Sequence, residues 1–140
     1  ALAALALLPS EGRALSCESP SLERVLGAPR SIVFDGTLES CRDDGQIRMR
    51  FRVNRWWSGR GGARVDVVFE PLQRAECSDF EIGWTAIFHA YTVRGEHAMN
   101  HCSFPFDPDD PENQAVLEAH GDPYDPDGRD RGGRGTPPAP

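Results

Sequence analysis

The stretch Gln46-Ile47-Arg48-Met49-Arg50-Phe51-Arg52-Val53-Asn54-Arg55-Trp56-Trp57 decides the fold. Ile47, Met49, Phe51 and Val53 alternate with Arg48, Arg50, Arg52 and Asn54. A period of two sends successive side chains to opposite faces, so this is a half-buried strand with one apolar and one cationic face. Working outward, Ser31-Ile32-Val33-Phe34-Asp35-Gly36-Thr37-Leu38 reads as a preceding strand, with Gly36 marking a bulge or tight bend. The turn Asp43-Asp44-Gly45 joins the two as a hairpin. Ser58-Gly59-Arg60-Gly61-Gly62 ends the second strand, and Arg64 to Phe69 makes a third. Trp84 to Val93 is β-branched and aromatic, and Arg94-Gly95-Glu96 turns it into a last strand, His97 to Cys102.

Little room remains for helices. Ser21 to Leu26 predicts a turn or two near the N-terminus, and residues 111–119 a longer helix with Asp110 as N-cap and Pro111 at the first helical position. Past Gly121 the chain is almost devoid of apolar residues and cannot offset its ordering entropy, so residues 121–140 read as a disordered acidic tail. The fold class is therefore all-β with one or two short helices. Five strands in an antiparallel meander that closes make a small barrel of the OB-like kind. A β-sandwich would want more strands.

Length and composition bound the rest. The 140 residues suit one domain with extensions. The apolar run Ala1 to Leu8 falls far short of the roughly 20 residues of a membrane helix. It reads as the remnant of a signal peptide over residues 1–16, with cleavage expected after Ala14 or Ser16. Ala14-Leu15-Ser16-Cys17 also resembles a lipoprotein processing site, but ordinary cleavage is the better account. The net charge of −7 sits mostly in the tail: nine acids face three arginines from Asp107 onward, against twelve acids and eleven arginines over residues 17–106. Every basic residue in the chain apart from histidine is arginine. Four cysteines, Cys17, Cys41, Cys77 and Cys102, behind an export leader read as two disulfides with three possible connectivities. A core of roughly 90 residues is marginal alone, and each bridge would add about 2–4 kcal/mol. The expected destination is secreted, periplasmic or cell-surface.

Residues 31–36 and Phe51-Arg52-Val53-Asn54-Arg55-Trp56-Trp57-Ser58-Gly59 together resemble the first strands of netrin-like modules. In that family an apolar-apolar-Phe-x-Gly strand precedes a Phe-x-Val…Trp-x-Gly strand. Cys77-Ser78-Asp79-Phe80-Glu81-Ile82-Gly83-Trp84 is similar to the family's Cys-Gly…Gly block, and Asn100-His101-Cys102 falls where its strand-ending cysteine stands. By pattern the chain is similar to tissue inhibitors of metalloproteinases and their bacterial look-alikes, and the likeness spans Leu15 to Phe106. It implies an OB-like barrel domain over residues 17–106; the short helical segment read from the capping residues occupies 107–120. The resemblance also implies Cys17–Cys102 and Cys41–Cys77 pairing, with Cys17–Cys77 and Cys41–Cys102 as the alternative. In the animal inhibitors a mature N-terminal cysteine chelates the protease zinc through its α-amino and carbonyl groups, and a second cysteine follows two residues later. Leu15 stands at the first of those positions. Metalloproteinase inhibition is thus the alternative function, and it requires Cys17 itself to become the N-terminus.

The most site-like surface feature is the stripe Arg48, Arg50, Arg52, which Arg55 and Arg64 could extend. By strand parity Trp56 projects to the same side and would give the stripe a stacking partner. The plainer account is a solvated face whose charges pair with neighbouring acids. The stripe could also dock the protein's own acidic tail. As a binding face it suits an acidic protein or a polyanionic glycan, export arguing against nucleic acid. His97, His101 and Cys102 do not converge on one face of a strand and predict no metal site. His89, inside an apolar strand, reads as a satisfied core or edge histidine. Asp107-Pro108-Asp109-Asp110 lacks the glycine and distant glutamate of a calcium loop and reads as a turn. No catalytic motif occurs, so neither an enzyme nor a cofactor is expected.

Overall fold

A computed structural model describes residues 17–128; the leader read over 1–16 and the end of the tail, 129–140, lie outside the described residues. The chain forms α1 (Leu22–Gly27), β1 (Ser31–Asp43), β2 (Ile47–Ser58), β3 (Arg64–Glu70), a 3-10 turn (Cys77–Asp79), β4 (Thr85–Val93), β5 (Glu96–Asn100) and α2 (Pro111–His120). The strands close as β1-β2-β3-β5-β4, an OB-like five-stranded barrel. The path differs from a meander in one seam. β3 and β5 pair in parallel, Val68 opposite Ala98 and Phe69 opposite Met99, while β4 lies antiparallel to β1 over Ser31–Thr37. The connector 71–84 must therefore cross one end of the barrel.

Both helix starts follow from capping. The Ser21 hydroxyl accepts from Arg24 N–H at 3.2 Å, and the Asp110 carboxylate accepts from Glu112 N–H at 2.9 Å with Pro111 opening the helix. β5 ends at Asn100 rather than at Cys102, because Asn100 Oδ1 accepts from Cys102 N–H at 2.8 Å and turns the chain.

Two apolar layers share β1. Phe34, Leu38, Phe51, Val53, Val67 and Phe88 fill the barrel interior. On the outer side, Val33 and Ile87 pack against Leu22, Val25 and Leu26 of α1 and Leu117 of α2. This explains why Ile32 to Gly36 is buried at every position instead of alternating: the strand lies between two cores. Gly36 sits at a register shift between β1 and β2, where a Cβ would run into the Arg52 carbonyl. Phe106 exchanges both backbone hydrogen bonds with Ile87, at 3.0 and 2.8 Å, and Tyr124 does the same with Trp56 at 2.8 Å each way. Residues 121–128, expected to be disordered from composition, are thus placed on the barrel: Tyr124 completes a strand edge, and the Arg60 guanidinium lies 4.5 Å over its ring.

Candidate functional site

Arg48, Arg50 and Arg52 stand on the outer face of β2, where the alternating pattern puts them. Each is met by acids from neighbouring strands and turns. Arg50 makes a two-pronged contact with Asp66 of β3, at 2.7 and 3.0 Å. Arg48 lies 3.7 Å from Asp44 and 3.9 Å from Glu96, at the β1–β2 and β4–β5 turns, and Arg52 lies 3.9 Å from Glu39 of β1. Glu39 also takes a two-pronged contact from Arg64, at 2.9 and 3.2 Å, and Asp44 takes Arg42 at 3.4 Å. Arg55, by contrast, turns away to Asp35. The hydrogen bond with Arg50 holds the Asp66 carboxyl below its ordinary value and raises the Arg50 guanidinium in turn. The wall is a ladder of alternating charge. All of its members are substantially solvent-exposed apart from the more sheltered Glu39, so each pair is held weakly.

Trp56 is not part of this wall. It is 2 % exposed and points into the barrel beside Phe34, its indole N–H donating to Gly62 O at 3.1 Å. The reason is a one-residue bulge: Val53 pairs with Gly36 and Arg55 with Asp35, leaving Asn54 as the extra residue. One inserted residue reverses the parity of everything after it. Arg55 and Trp57 instead meet on Asp35, which accepts from Arg55 Nε and from the Trp57 indole at 2.9 Å each, with the Arg55 guanidinium 5.3 Å from the Trp57 ring. Asp35 is buried, and this triad braces the outer side of β1. Its signal in the sequence is the non-alternating acid in an apolar strand. A groove of about 160 Å³ runs along the stripe, lined by Arg42, Arg48, Arg50, Asp66 and Glu96 with no aromatic ring among its lining residues.

The cysteines pair Cys17–Cys102 and Cys41–Cys77, the connectivity the netrin-like resemblance implied, with Cα atoms 5.4 and 5.6 Å apart. No cysteine among the described residues is free. Cys41–Cys77 ties the connector to β1. Cys17–Cys102 ties the N-terminal segment to the loop after β5.

Between those two staples lies a feature that strand-by-strand reading missed. The connector carries few apolar side chains, and Phe80 is the main one it turns inward, packing edge-on to Phe69 at 4.9 Å. The barrel end is left as an aromatic mouth of about 170 Å³, walled by Phe51, Phe69, Phe80, Trp84, Phe88 and Phe104. Trp84 stands edge-on to Phe88 at 5.4 Å while remaining 38 % exposed, and Phe104 is 48 % exposed. The available signal was a mainly polar connector ending in Gly83-Trp84: a barrel end needs more than one large apolar side chain to seal it.

Histidines and acids elsewhere are engaged separately. His97 Nδ1 lies 3.0 Å from the Thr92 hydroxyl, His101 Nδ1 accepts from Leu72 N–H at 2.9 Å, and the nearby Cys102 is bridged. His89 is buried and donates from Nε2 to Phe104 O at 3.0 Å. Asp107 caps its own turn by accepting from Asp109 N–H at 2.8 Å. Among the described residues no group of three His, Cys, Asp or Glu converges as a metal would need, and no helix is long and apolar enough to cross a membrane. Comparison of the chain with protein-family models and with curated proteins returned no match.

Proposed function

We propose that the chain is an exported, non-enzymatic binding module of the netrin-like type whose Arg48, Arg50 and Arg52 wall meets an acidic segment of a partner protein. The observation that carries this is the exchangeable character of the wall. The helices cover the opposite, β1–β4 side, while β2 and β3 present arginines held by carboxylates that are exposed, as Asp66 is, or only loosely placed, as Glu39 is at 3.9 Å from Arg52, and that an incoming carboxylate can replace. The interleaved acids Glu39, Asp44, Asp66 and Glu96 favour a protein over a polyanionic glycan. A uniform polyanion must lie across all four, whereas a folded partner can place its carboxylates between them. Two disulfides support an oxidising destination.

The test uses immobilised polyglutamate and immobilised heparin as probes. A chain of net charge −7 should still be retained on polyglutamate at low ionic strength and released by about 0.2 M salt. The Arg50→Glu/Arg52→Glu variant should pass through. Retention that ignores the charge reversal, or that survives high salt, overturns the reading; retention on heparin alone transfers it to a glycan.

The Cys17–Cys102 bridge favours one second reading, inhibition of a zinc metalloprotease by an N-terminal Cys17, since a bridged cysteine is what that chemistry requires. Protein prepared to start at Cys17 should then slow a zinc endopeptidase while protein starting at Leu15 should not. Equal behaviour of the two removes this alternative.

A further inference from the structure

We propose that the aromatic mouth of the barrel is a second, separate binding site that takes one apolar side chain, aromatic or branched aliphatic, from a basic segment of a partner protein. Size selects the class of occupant. A cavity of about 170 Å³ is close to the roughly 150 Å³ known to admit a benzene ring, and well below the roughly 300–1,000 Å³ of pockets that enclose whole small-molecule ligands. The floor is Phe51 and Phe88 of the barrel interior, so an entering side chain would be buried on several sides. Trp84 and Phe104 at the lip remain exposed, as anchors for a partner would be.

The rim is built to keep its shape. Cys102, held to Cys17, sits between His101 and Ser103, which both line the mouth. Ser103 Oγ accepts from Asn100 N–H at 3.0 Å, and His101 Nδ1 accepts from Leu72 N–H, linking the rim to the connector. The connector is pinned in turn by Cys41–Cys77 and by the reciprocal hydrogen bonding of Glu76 and Asp79. A rim fixed before binding loses little freedom on binding.

Charge selects the flanks of the occupant. From Glu70 to Trp84 the chain carries four exposed acids, Glu70, Glu76, Asp79 and Glu81, against Arg74 alone. An apolar anchor flanked by Lys or Arg therefore complements the mouth, the opposite of what suits the arginine wall. This inference does not rest on that wall.

The test is an NMR titration of the full chain with acetyl-Lys-Phe-Lys-amide, with the Glu-Phe-Glu and Lys-Ala-Lys peptides as comparisons. The expected result is a saturable shift of the Trp84 indole and of Met99 and Phe104 signals, with a Kd on the order of 1 mM. The Glu-Phe-Glu peptide should bind about fivefold more weakly at low salt, and the alanine peptide not measurably. Phe104→Ala and, independently, Trp84→Ala should each weaken binding about tenfold, while Arg50→Glu/Arg52→Glu, which only adds negative charge to the chain, should not weaken it. Absence of saturable shifts at the mouth in the wild-type chain overturns the proposal, as does binding indifferent to both lip variants. Equal binding of the acidic peptide overturns the basic partner. Shifts at the mouth that grow with protein concentration alone, with a dimer in sedimentation, would assign it to a second copy of the chain instead.

Discussion

His89 shows how a single residue sets a condition on the fold. It is 8 % exposed, tilted against the Phe106 ring at 5.4 Å, and its Nε2–H is spent on Phe104 O. Burial holds its imidazole below the ordinary histidine value, and burial does the same for His97. As pH falls, the unfolded chain takes up protons at about 6.5, before the native histidines do. The stability these groups contribute is therefore complete above about pH 6.5 and is lost as pH falls toward their lowered native values. Urea unfolding from about pH 7.5 to about pH 5 should show a decline that is shallower in His89→Gln, whose amide keeps a donor for Phe104 O. Identical slopes would show that His89 carries no proton linkage. That this histidine is buried was legible from the apolar strand around it. The orientation of Trp56 was not, because parity counting assumes an unbroken pleat and the Asn54 bulge breaks it; the glycine that marks the place, Gly36, stands on the facing strand β1 and does not say which residue of β2 is the extra one.

At the scale of elements, strand existence was legible and strand partnership was not. Period-two patterning fixes which face of β2 is buried, yet it carries no information on whether β5 returns beside β4 alone or also beside β3. The parallel β3–β5 seam follows from closure of the barrel, a non-local event. The disulfides were legible in number from composition, and in connectivity only through resemblance to a family. Their effects on stability should differ. Cys17–Cys102 spans 85 residues and Cys41–Cys77 spans 36, so loop closure makes the first worth about 0.8 kcal/mol more, on a base of about 2–5 kcal/mol for either. Guanidinium denaturation of Cys17→Ser/Cys102→Ser and Cys41→Ser/Cys77→Ser should give losses in that order. The reverse order would mean that holding the connector against β1 outweighs chain entropy.

For the molecule as a whole, the arm after β5 makes the described structure one unit rather than a barrel with an appendage. The family resemblance placed a domain boundary at Phe106, and composition placed a disordered tail from Gly121 onward. The few apolar residues in that arm are spent where the barrel needs them. Phe106 completes the edge of β4 at Ile87, Leu117 enters the outer core with Val33, and Tyr124 pairs with Trp56 beyond the reach of β3, whose register with β2 ends at Arg52 opposite Arg64. Average hydropathy cannot reveal this, since three well-placed side chains do not change a mean. His120 adds a contact from α2 to Trp57 O at 2.9 Å. If the arm is integral, Tyr124→Pro should act at a distance in sequence. It removes the N–H that donates to Trp56 O and the ring under Arg60, and should lower unfolding stability by about 1–3 kcal/mol. Tyr124→Ala, which keeps both backbone bonds, should cost about 1 kcal/mol or less. The decisive measurement is amide hydrogen exchange at Trp56, whose N–H donates to Tyr124 O. Exchange there should accelerate in Tyr124→Pro and stay near the wild-type rate in Tyr124→Ala. Unchanged exchange in both would show that residues 121–128 rest on the barrel without stabilising it, which is nearer to the disordered tail that composition predicts.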